Sequence, residues 1–273
     1  MPKAIQPQGS KGAHFAPVPG TSYHPLTDDS ALFGMGVGYL SIDDRDAFLS
    51  ADVKPDAFAA RMQDVGCRLL SVQVNAEEDK LLYAVQKLGF RFVDCRTRMK
   101  FGDLQADYSP SPWEVRDAVP EDVQALETIA YESFHDGRFI SDPEVERDLA
   151  RARYVKITRQ CINGHQTGDS IWVLGDAGAP KAFIGVHIDA AKQYCELKLA
   201  AVASNQQGKG YGKRLFRDAL ARLRSMGIRK VEGQISPANT AITNIYLSLG
   251  FLITPLQCMF HLHLSPGSSD RSL

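Results

Sequence analysis

The second half of the chain alternates between strand-like and helix-like runs of apolar residues. "WEVRDAV" (113–119) alternates apolar and polar residues as a strand does, and "PEDVQALETIAYESF" (120–134) has apolar residues at helical spacing behind a proline. A further helical stretch, 141–156, with Ser141 or Asp142 as its cap, precedes three strand-like runs: "SIWVLGD", "KAFIGVHIDA" and "QYCELKLAAVA". The pattern predicts strands joined by short turns and preceded by two helices.

The last part of the chain continues this order. It reads as a helix (212–227), a strand (229–235), a helix (239–250) and two closing strands (251–254 and 256–264). This order predicts a mixed sheet with helices on both faces.

Two segments within the first 114 residues have the composition of irregular structure. Residues 1–30 are rich in Pro, Gly, Ser and His without an apolar period, which predicts a mobile or irregular lead-in. "DLQADYSPSPWE" (103–114) carries two Ser-Pro pairs and indicates a domain boundary near residue 110.

A stretch of the first half resembles one near the end of the chain. Residues 65–101 align without a gap on residues 226–262, with Gly89-Phe90 falling on Gly250-Phe251 and with the same order of strand, helix and strand. The first copy has no glycine-rich loop, and Val85 stands where the second copy has Tyr246. We therefore expect a partial, non-catalytic copy over 31–109, a catalytic domain over 113–264 and a tail over 265–273.

Composition narrows the classes of function. The chain has 273 residues with 31 basic and 32 acidic side chains, a balance that argues against nucleic acid or an anionic membrane as a partner. It shows no secretion signal and no apolar run long enough to span a bilayer, so we expect a cytoplasmic protein. The five cysteines are widely spaced, which favours reduced thiols, and His261 and His263 lack a nearby third ligand, so we expect no metal.

Three glycines precede the helix of 212–227. Gly208, Gly210 and Gly212 alternate with other residues, and glycine lets backbone N–H groups converge on an anion at a helix N-terminus. Lys209, Lys213 and Arg214 add positive charge, so a diphosphate suits the loop. A turn without a ligand remains the alternative.

The spacing of these glycines excludes two common phosphate loops. A Walker loop needs Ser or Thr after Gly-Lys, where this chain has Arg214, and a dinucleotide-binding loop needs Gly-x-Gly-x-x-Gly after the first strand. The diphosphate therefore belongs to another ligand class.

The glycine loop resembles a known one. Gln207-x-x-Gly210-x-Gly212 before an amphipathic helix resembles the acyl-CoA pyrophosphate loop of the GNAT superfamily of N-acyltransferases, and "NTAITNIYLSLGF" (239–251) resembles its Asn…Tyr…Gly-Phe segment. The resemblance covers about 113–264. It implies an α/β (α+β) fold with a mixed, mostly antiparallel, splayed sheet flanked by helices, preceded here by a degenerate partial copy.

The resemblance also implies roles for residues. Tyr246 would protonate the departing thiolate, and acetyl-CoA would be the acyl donor, without a metal. The residues implied to contact this donor are Ala200, Val202, Gln207, Gly208, Lys209, Gly210, Tyr211, Gly212, Lys213 and Asn239.

A base is needed for the acceptor amine. Glu196 precedes Gln207 at the spacing of the basic glutamate in histone-acetylating members of the superfamily. Because strand side chains alternate, we expect Glu196 to share a face with Lys198 and Ala200, and an ion pair with Lys198 is the alternative to a base role. His187, Asp189 and a water chain are further candidates.

A narrower resemblance suggests the acceptor. "SALFGMGVGYL" (30–40), "FHDGRF" (134–139) and "ANTAI" (238–242) resemble the TDP-fucosamine acetyltransferase family, which acetylates the amino group of a dTDP-linked 4-amino-4,6-dideoxy sugar for surface polysaccharide. That family has an arginine near the position of Glu196, which leaves the base open. The implied substrate-binding residues are Phe134, His135, Arg138 and Phe139.

Two other functions stay open at this stage. The chain could acetylate a different amine, such as a protein lysine, a polyamine or an antibiotic, or it could be a non-catalytic acyl-CoA-binding regulatory module. The acyl chain length and the pairing of subunits into a homodimer are likewise left open by the sequence.

Overall fold

The computed structural model describes residues 15–104, 114–164 and 167–265. The chain divides into two compact units, of which unit 1 contains the chain up to Asp94 together with the segment from Gln257 onward, and unit 2 contains Cys95–Leu256. Most of the predicted linker at 103–114, the first fourteen residues and the tail after residue 265 lie outside the described residues. None of the described helices has the length and apolar character needed to cross a membrane.

The described residues form strands and helices in both units. The strands are β1 (Thr21–Pro25), β2 (Gly36–Ile42), β3 (Cys67–Asn75), β4 (Arg91–Phe101), β5 (Arg116–Asp117), β6 (Asp169–Asp176), β7 (Ala179–Asp189), β8 (Tyr194–Val202), β9 (Lys230–Ile235), β10 (Leu252–Ile253) and β11 (Gln257–His263). The α-helices are α1 (Thr27–Phe33), α2 (Arg45–Ser50), α3 (Pro55–Asp64), α4 (Asp79–Lys87), α5 (Val123–Ser133), α6 (Arg147–Asn163), α7 (Tyr211–Ser225) and α8 (Thr240–Ser248).

Unit 1 is built on a sheet with the strand order β1-β2-β3-β11. Only β2 and β3 run parallel. Its apolar core contains Phe58 and Met62 of α3, Val85 of α4 and Phe260 of β11, among other residues. Val85, which stands in place of a tyrosine in the second copy, is fully buried and therefore serves packing in this unit.

Unit 2 is built on a sheet with the order β4-β9-β8-β7-β6-β5, and β10 also pairs with β4. All of these pairs are antiparallel except β8–β9, so the predicted mixed and mostly antiparallel sheet is confirmed. Helices α7 and α8 pack on one face with Trp172, Leu197 and Val231, and helices α5 and α6 pack on the other with Phe183 and Leu199. Helices flank both faces, as the sequence pattern predicts.

The helices and strands of the two aligned segments follow the sequence repeat. The gap-free alignment places α4, Asp79–Lys87, on α8, Thr240–Ser248, with both ends coinciding. The last strand of each repeat, however, joins the other unit. Strand β11 pairs with β3 from Gln257↔Asn75 to His263↔Leu69 in unit 1, and β4 pairs with β9 from Thr97↔Ile235 to Phe101↔Val231 in unit 2.

This exchange of strands moves the boundaries of the compact units away from those expected. The expected ranges 31–109 and 113–264 would place β4 with the first copy and β11 with the second, whereas hydrogen bonding places residues 95–101 in unit 2 and 257–263 in unit 1. The sequence repeat alone cannot reveal this exchange, because each strand still follows the helix of its own copy along the chain. The assignment of catalysis to one unit stays a prediction.

Two local expectations were wrong. The lead-in predicted over 1–30 is regular from residue 21, where β1 and then α1 begin. The helix predicted to begin at Ser141 or Asp142 begins only at Arg147, because Asp142 instead accepts a hydrogen bond from the Glu144 amide at 3.0 Å and forms a turn.

A buried carboxylate fixes the start of α5 in unit 2. Asp122 is fully buried and accepts two hydrogen bonds from Arg116, at 2.6 and 2.9 Å, and one each from the amides of Val119 and Gly178, both at 2.9 Å. Burial opposes ionisation, but these donors outweigh it and hold the pKa of Asp122 below its usual range. The charged carboxylate thus ties the strand β5, the helix start and the β6–β7 turn together.

We expect Asp122→Asn to lower the free energy of unfolding at pH 7 by about 2 kcal/mol, because the amide cannot accept all four hydrogen bonds. The contribution of a carboxylate with a lowered pKa is present above its unfolded-state pKa and is lost as the pH falls through its folded-state pKa. Urea denaturation at pH 7 and at low pH should therefore show a difference that shrinks in acid. Asp176→Asn, at an exposed carboxylate close to the same arginine, is the control and should change little.

Candidate active site

The parallel pair β8–β9 opens into a cleft at its C-terminal end. The two strands pair from Tyr194↔Lys230 to Leu197↔Gly233, after which β8 continues to Val202 and β9 to Ile235 without pairing to each other. Leu197↔Gly233 is therefore the apex of the cleft, and the residues beyond it are its two arms.

The backbone of the β8 arm offers hydrogen bonds to the cleft. The amide of Ala203 donates to the carbonyl of Lys181 on β7 at 2.9 Å, and N–H directions alternate along a strand. The N–H and C=O groups of Ala200 and Val202 therefore point away from β7 and toward the cleft. The carbonyl of Val202 accepts from Gln207 Nε2 and from Ser133 Oγ, each at 3.3 Å.

A β-bulge in β8 changes which residues share a face. Leu199 lies opposite Gly185 and Leu197 lies opposite Val186, so Lys198 between them has no partner on β7. Leu197 consequently packs against the α7/α8 face and Leu199 against the α5/α6 face, although they are two residues apart. The expectation that Glu196 shares a face with Ala200 was wrong, because simple alternation ends at this bulge, whereas Lys198 lies on the same side as Glu196, where its Nζ reaches Asp169.

The walls of the cleft on the α7/α8 side are half-buried and apolar. Gly212 allows the elements to approach, since a Cβ there would lie 3.0 Å from Ile245 Cδ1 and 3.7 Å from Val202 Cγ2. The half-buried side chains that pack against the apolar core on this side include Ala200, Val202, Tyr211, Ile235, Ile242 and Ile245. Sequence reasoning missed the three isoleucines, although Ile242 and Ile245 have the spacing of neighbours on one helix face.

The glycine loop forms the N-terminal entrance to α7. A short 3-10 turn, Ser204–Gln206, leads to Gly208 and Gly210, whose φ values of +75° and +82° favour glycine. Gly210 is the N-cap of α7 and gives it no side-chain cap, so the first backbone N–H groups of a 15-residue helix are left for an anion.

Lys209 and Lys213 of the glycine loop differ in their contacts. Lys209 Nζ donates to the Asn205 carbonyl at 2.8 Å and to Gln206 Oε1 at 3.4 Å, so it closes the loop on itself. Lys213 is exposed in the first turn of α7. Lys213 is therefore the better placed cation for a diphosphate at the helix start.

Tyr246 of α8 lies beneath the apex of the cleft. Its side chain is buried, with ring contacts to Phe216 and Phe251 at centroid distances of 4.9 and 4.7 Å. A Cβ on Gly233 would come 2.2 Å from the Tyr246 hydroxyl, so this hydroxyl occupies the space that glycine leaves at the apex. Burial, together with the nearby Cys195 thiol, raises the pKa of Tyr246 and keeps its proton in place at neutral pH.

Asn239 has a clear structural role at the start of the same helix. Its side chain accepts a hydrogen bond from the Ile242 amide at 3.1 Å and caps α8. Its predicted contact with the acyl donor stays a prediction.

Glu196 lies on the α5/α6 face, opposite to that of Tyr246. It is paired in the ladders with His187 of β7 and with Glu232 of β9, one position before the apex. Lys198 does not pair with Glu196, since its Nζ donates to Asp169 Oδ2 at 3.0 Å. The ion-pair alternative for Glu196 is therefore wrong for Lys198.

The aromatic rings of the loop between α5 and α6 pack against other residues of the protein. Phe134 stacks on Tyr154 of α6 at 4.1 Å, and Phe139 is 4% exposed with the Arg138 guanidinium 4.6 Å from its ring. A buried ring offers no face to a sugar in this conformation, whereas His135 is exposed and Arg138 half-buried. Of the four predicted substrate contacts, the two polar residues are thus the better placed.

The part of the chain that contains the cleft is similar to a known protein family. Residues 124–251 match the model of the acetyltransferase (GNAT) family. The chain is 24% identical over 202 residues to the spore coat polysaccharide biosynthesis protein SpsD of Bacillus subtilis, covering 73% of this chain and 68% of that protein.

Solved structures share the fold. A GCN5-related N-acetyltransferase from Sphaerobacter thermophilus superimposes with a TM-score of 0.61 at 14% identity, covering 91% of this chain and 78% of that one. A tandem GNAT protein from the clavulanic acid biosynthesis pathway gives a TM-score of 0.52 at 14% identity, covering 85% and 76%. Residues 124–251, which contain the cleft, are thus similar to the acetyltransferase (GNAT) family, and the solved structures share the fold of the chain.

Proposed function

We propose that the protein transfers an acetyl group from acetyl-CoA to the amino group of a nucleotide-linked sugar, in particular a dTDP-linked 4-amino-4,6-dideoxy sugar. The observation that carries the proposal is the apex of the cleft, where the Tyr246 hydroxyl lies on one face of the sheet and the Glu196 carboxylate on the other. An acyl transfer to an amine needs an acid beside the leaving sulfur and a base beside the nitrogen, and these two groups supply them from opposite sides.

The elements around the cleft suit the acyl donor. Residues 208–213 present backbone N–H groups and Lys213 to a diphosphate, and the polar backbone of Ala200 and Val202 faces an extended amide-bearing chain. The half-buried isoleucines Ile235, Ile242 and Ile245 exclude water along this path. The donor's thioester would then reach the apex between Leu197 and Gly233.

The chemistry follows from these placements. Glu196 accepts a proton from the acceptor ammonium, and the neutral nitrogen forms a C–N bond with the thioester carbonyl carbon as the C–S bond breaks. Tyr246 donates a proton to the departing thiolate and regains one from the acylated nitrogen. One proton is released to solvent in each turnover.

The nucleotide-sugar acceptor is supported by two further observations. The chain is similar to SpsD, whose name places that protein in polysaccharide biosynthesis. The loop between α5 and α6, on the same face as Glu196, offers His135 and Arg138, and a guanidinium suits a diphosphate through paired hydrogen bonds.

The experiment for this function is incubation with acetyl-CoA and a dTDP-4-amino-4,6-dideoxy sugar, followed by mass spectrometry of the product. We expect the mass of one acetyl group to be added to the sugar nucleotide. The same sugar nucleotide with a hydroxyl in place of the amine is the control and should stay unmodified. Acetylation of a peptide or a polyamine, with none of the sugar, would contradict the proposal.

Tyr246→Phe tests the acid. It keeps the ring that packs between Phe216 and Phe251 and removes only the hydroxyl, so we expect kcat to fall by about 10- to 100-fold while the Kd for CoA changes little. Steady-state kinetics and calorimetric titration with CoA measure the two quantities. An unchanged kcat would remove Tyr246 from the chemistry.

Gly233→Ala tests the placement of that hydroxyl. The new Cβ would occupy the position of the Tyr246 hydroxyl and displace it, so we expect a loss of kcat comparable to that of Tyr246→Phe, and little additional loss when the two are combined. Gly102→Ala is the control, because no atom of the described residues lies within 4 Å of a Cβ there. Fully multiplicative losses in the double variant would mean that the two positions act independently.

A further inference from the structure

Five ionisable side chains form one row across the sheet of unit 2, on the α5/α6 face. The ladders pair each residue with the next across five neighbouring strands. In order from β6 to β4 they are Asp169, His187, Glu196, Glu232 and Lys100. Directly paired residues on one face have Cβ atoms about 4.5 to 5.5 Å apart, so each group of the row is within reach of its neighbours.

One end of the row fixes the orientation of the histidine. His187 Nδ1 lies 2.8 Å from Asp169 Oδ1, and Asp169 Oδ2 accepts from Lys198 Nζ at 3.0 Å. Because an ionised carboxylate only accepts hydrogen bonds, Nδ1 is the donor, and in the neutral form of the imidazole Nε2 carries the lone pair. All three side chains are partly buried, with exposures of 25% for His187, 15% for Asp169 and 28% for Lys198. His187 is thus held as a proton acceptor at Nε2.

At the other end of the row, two basic side chains offset the negative charge of Glu232. Glu232 pairs with Arg98 at 3.2 Å and with Lys100 at 3.4 Å. Two glutamates placed directly opposite each other repel, and these two cations offset that repulsion for Glu232. Among the described residues no side chain forms an ion pair or hydrogen bond with Glu196. Glu196 is therefore the carboxylate of the row that is open to an acceptor amine. His187 is its direct neighbour on β7.

We propose that His187, positioned by Asp169, is a second acid–base group of the acceptor side and takes from Glu196 the proton that Glu196 removes from the amine. Asp169 is a positioning residue, which acts through His187. In this route the proton passes from the nitrogen to the Glu196 carboxylate, then to His187 Nε2, and then to water, which restores both groups for the next turnover. The inference rests on the proposed base role of Glu196 and does not depend on which amine is the acceptor.

Several other groups act on this pair and must be considered in any titration. The charged and titratable groups that face it are Asp169 of β6, Asp189 of β7 with its partner Lys192, Tyr194 and Lys198 of β8, Glu232 of β9, Arg98 and Lys100 of β4, and Cys161 of α6. Burial raises the pKa of the Cys161 thiol to about 11 and that of Tyr194 to about 12, so both stay protonated through the neutral range.

The first experiment follows kcat/KM against pH for the wild type, His187→Gln and Asp169→Asn, with whichever amine the wild type acetylates. We expect both variants to be about tenfold slower at neutral pH and to approach the wild type at a pH where the acceptor amine is itself unprotonated. Asp117→Asn, at a carboxylate paired with Arg222 away from the row, should match the wild type throughout. An equal loss at every pH would indicate a structural role and overturn the proposal.

The second experiment does not need an acceptor. NMR titration of the His187 Cε1–H resonance should give a midpoint at lower pH in Asp169→Asn and in Glu196→Gln than in the wild type, because each variant removes a carboxylate that stabilises the imidazolium. A midpoint unmoved by Glu196→Gln would show that the two groups do not share a proton and would overturn the proposal. A wild type that fails to acetylate the sugar, with the shifts present, would contradict only the proposed function.

Discussion

One extra residue in strand β8 sets the geometry of the candidate site. Lys198 has no partner on β7, and the bulge it forms reverses the faces of the residues after it. Upstream, Glu196 lies on the α5/α6 face, while downstream Ala200 and Val202 pack toward α7 and α8. Since pairing with β9 also ends at Leu197, the bulge lies at the point where the cleft begins. In the proposed function, β8 would therefore contact the acyl donor with its downstream part and the amine with its upstream part.

The two faces of this sheet differ in their electrostatics. Tyr246 and Cys195 lie on the apolar α7/α8 face, where burial raises the pKa values of both and keeps both protonated. On the α5/α6 face the same strands carry a row of charges that remain partly exposed. In the proposed reaction, the acid Tyr246 and the groups that pass a proton to water therefore lie on opposite faces of the sheet.

The sequence predicts the parts of this arrangement that depend on local pattern. The order of strands and helices follows from apolar periodicity, and the positive φ angles at Gly208 and Gly210 agree with the predicted glycine loop. It could not predict the faces around Lys198, because a bulge adds a residue without any signature in apolar alternation. The same holds for Asp169, whose importance depends on two ladder pairings, and for Phe139, whose burial depends on packing of the loop against α6.

The exchange of terminal strands has a consequence for the order of folding. Unit 2 is complete once residue 256 has left the ribosome, whereas unit 1 lacks its strand β11 until residue 263 has been made. The pairing of Leu69 with His263 closes a very long loop, which is a slow step in folding. The unit that begins the chain is therefore the one that finishes last, and during synthesis β3 exposes an unpaired edge while the cleft-bearing unit is already able to close.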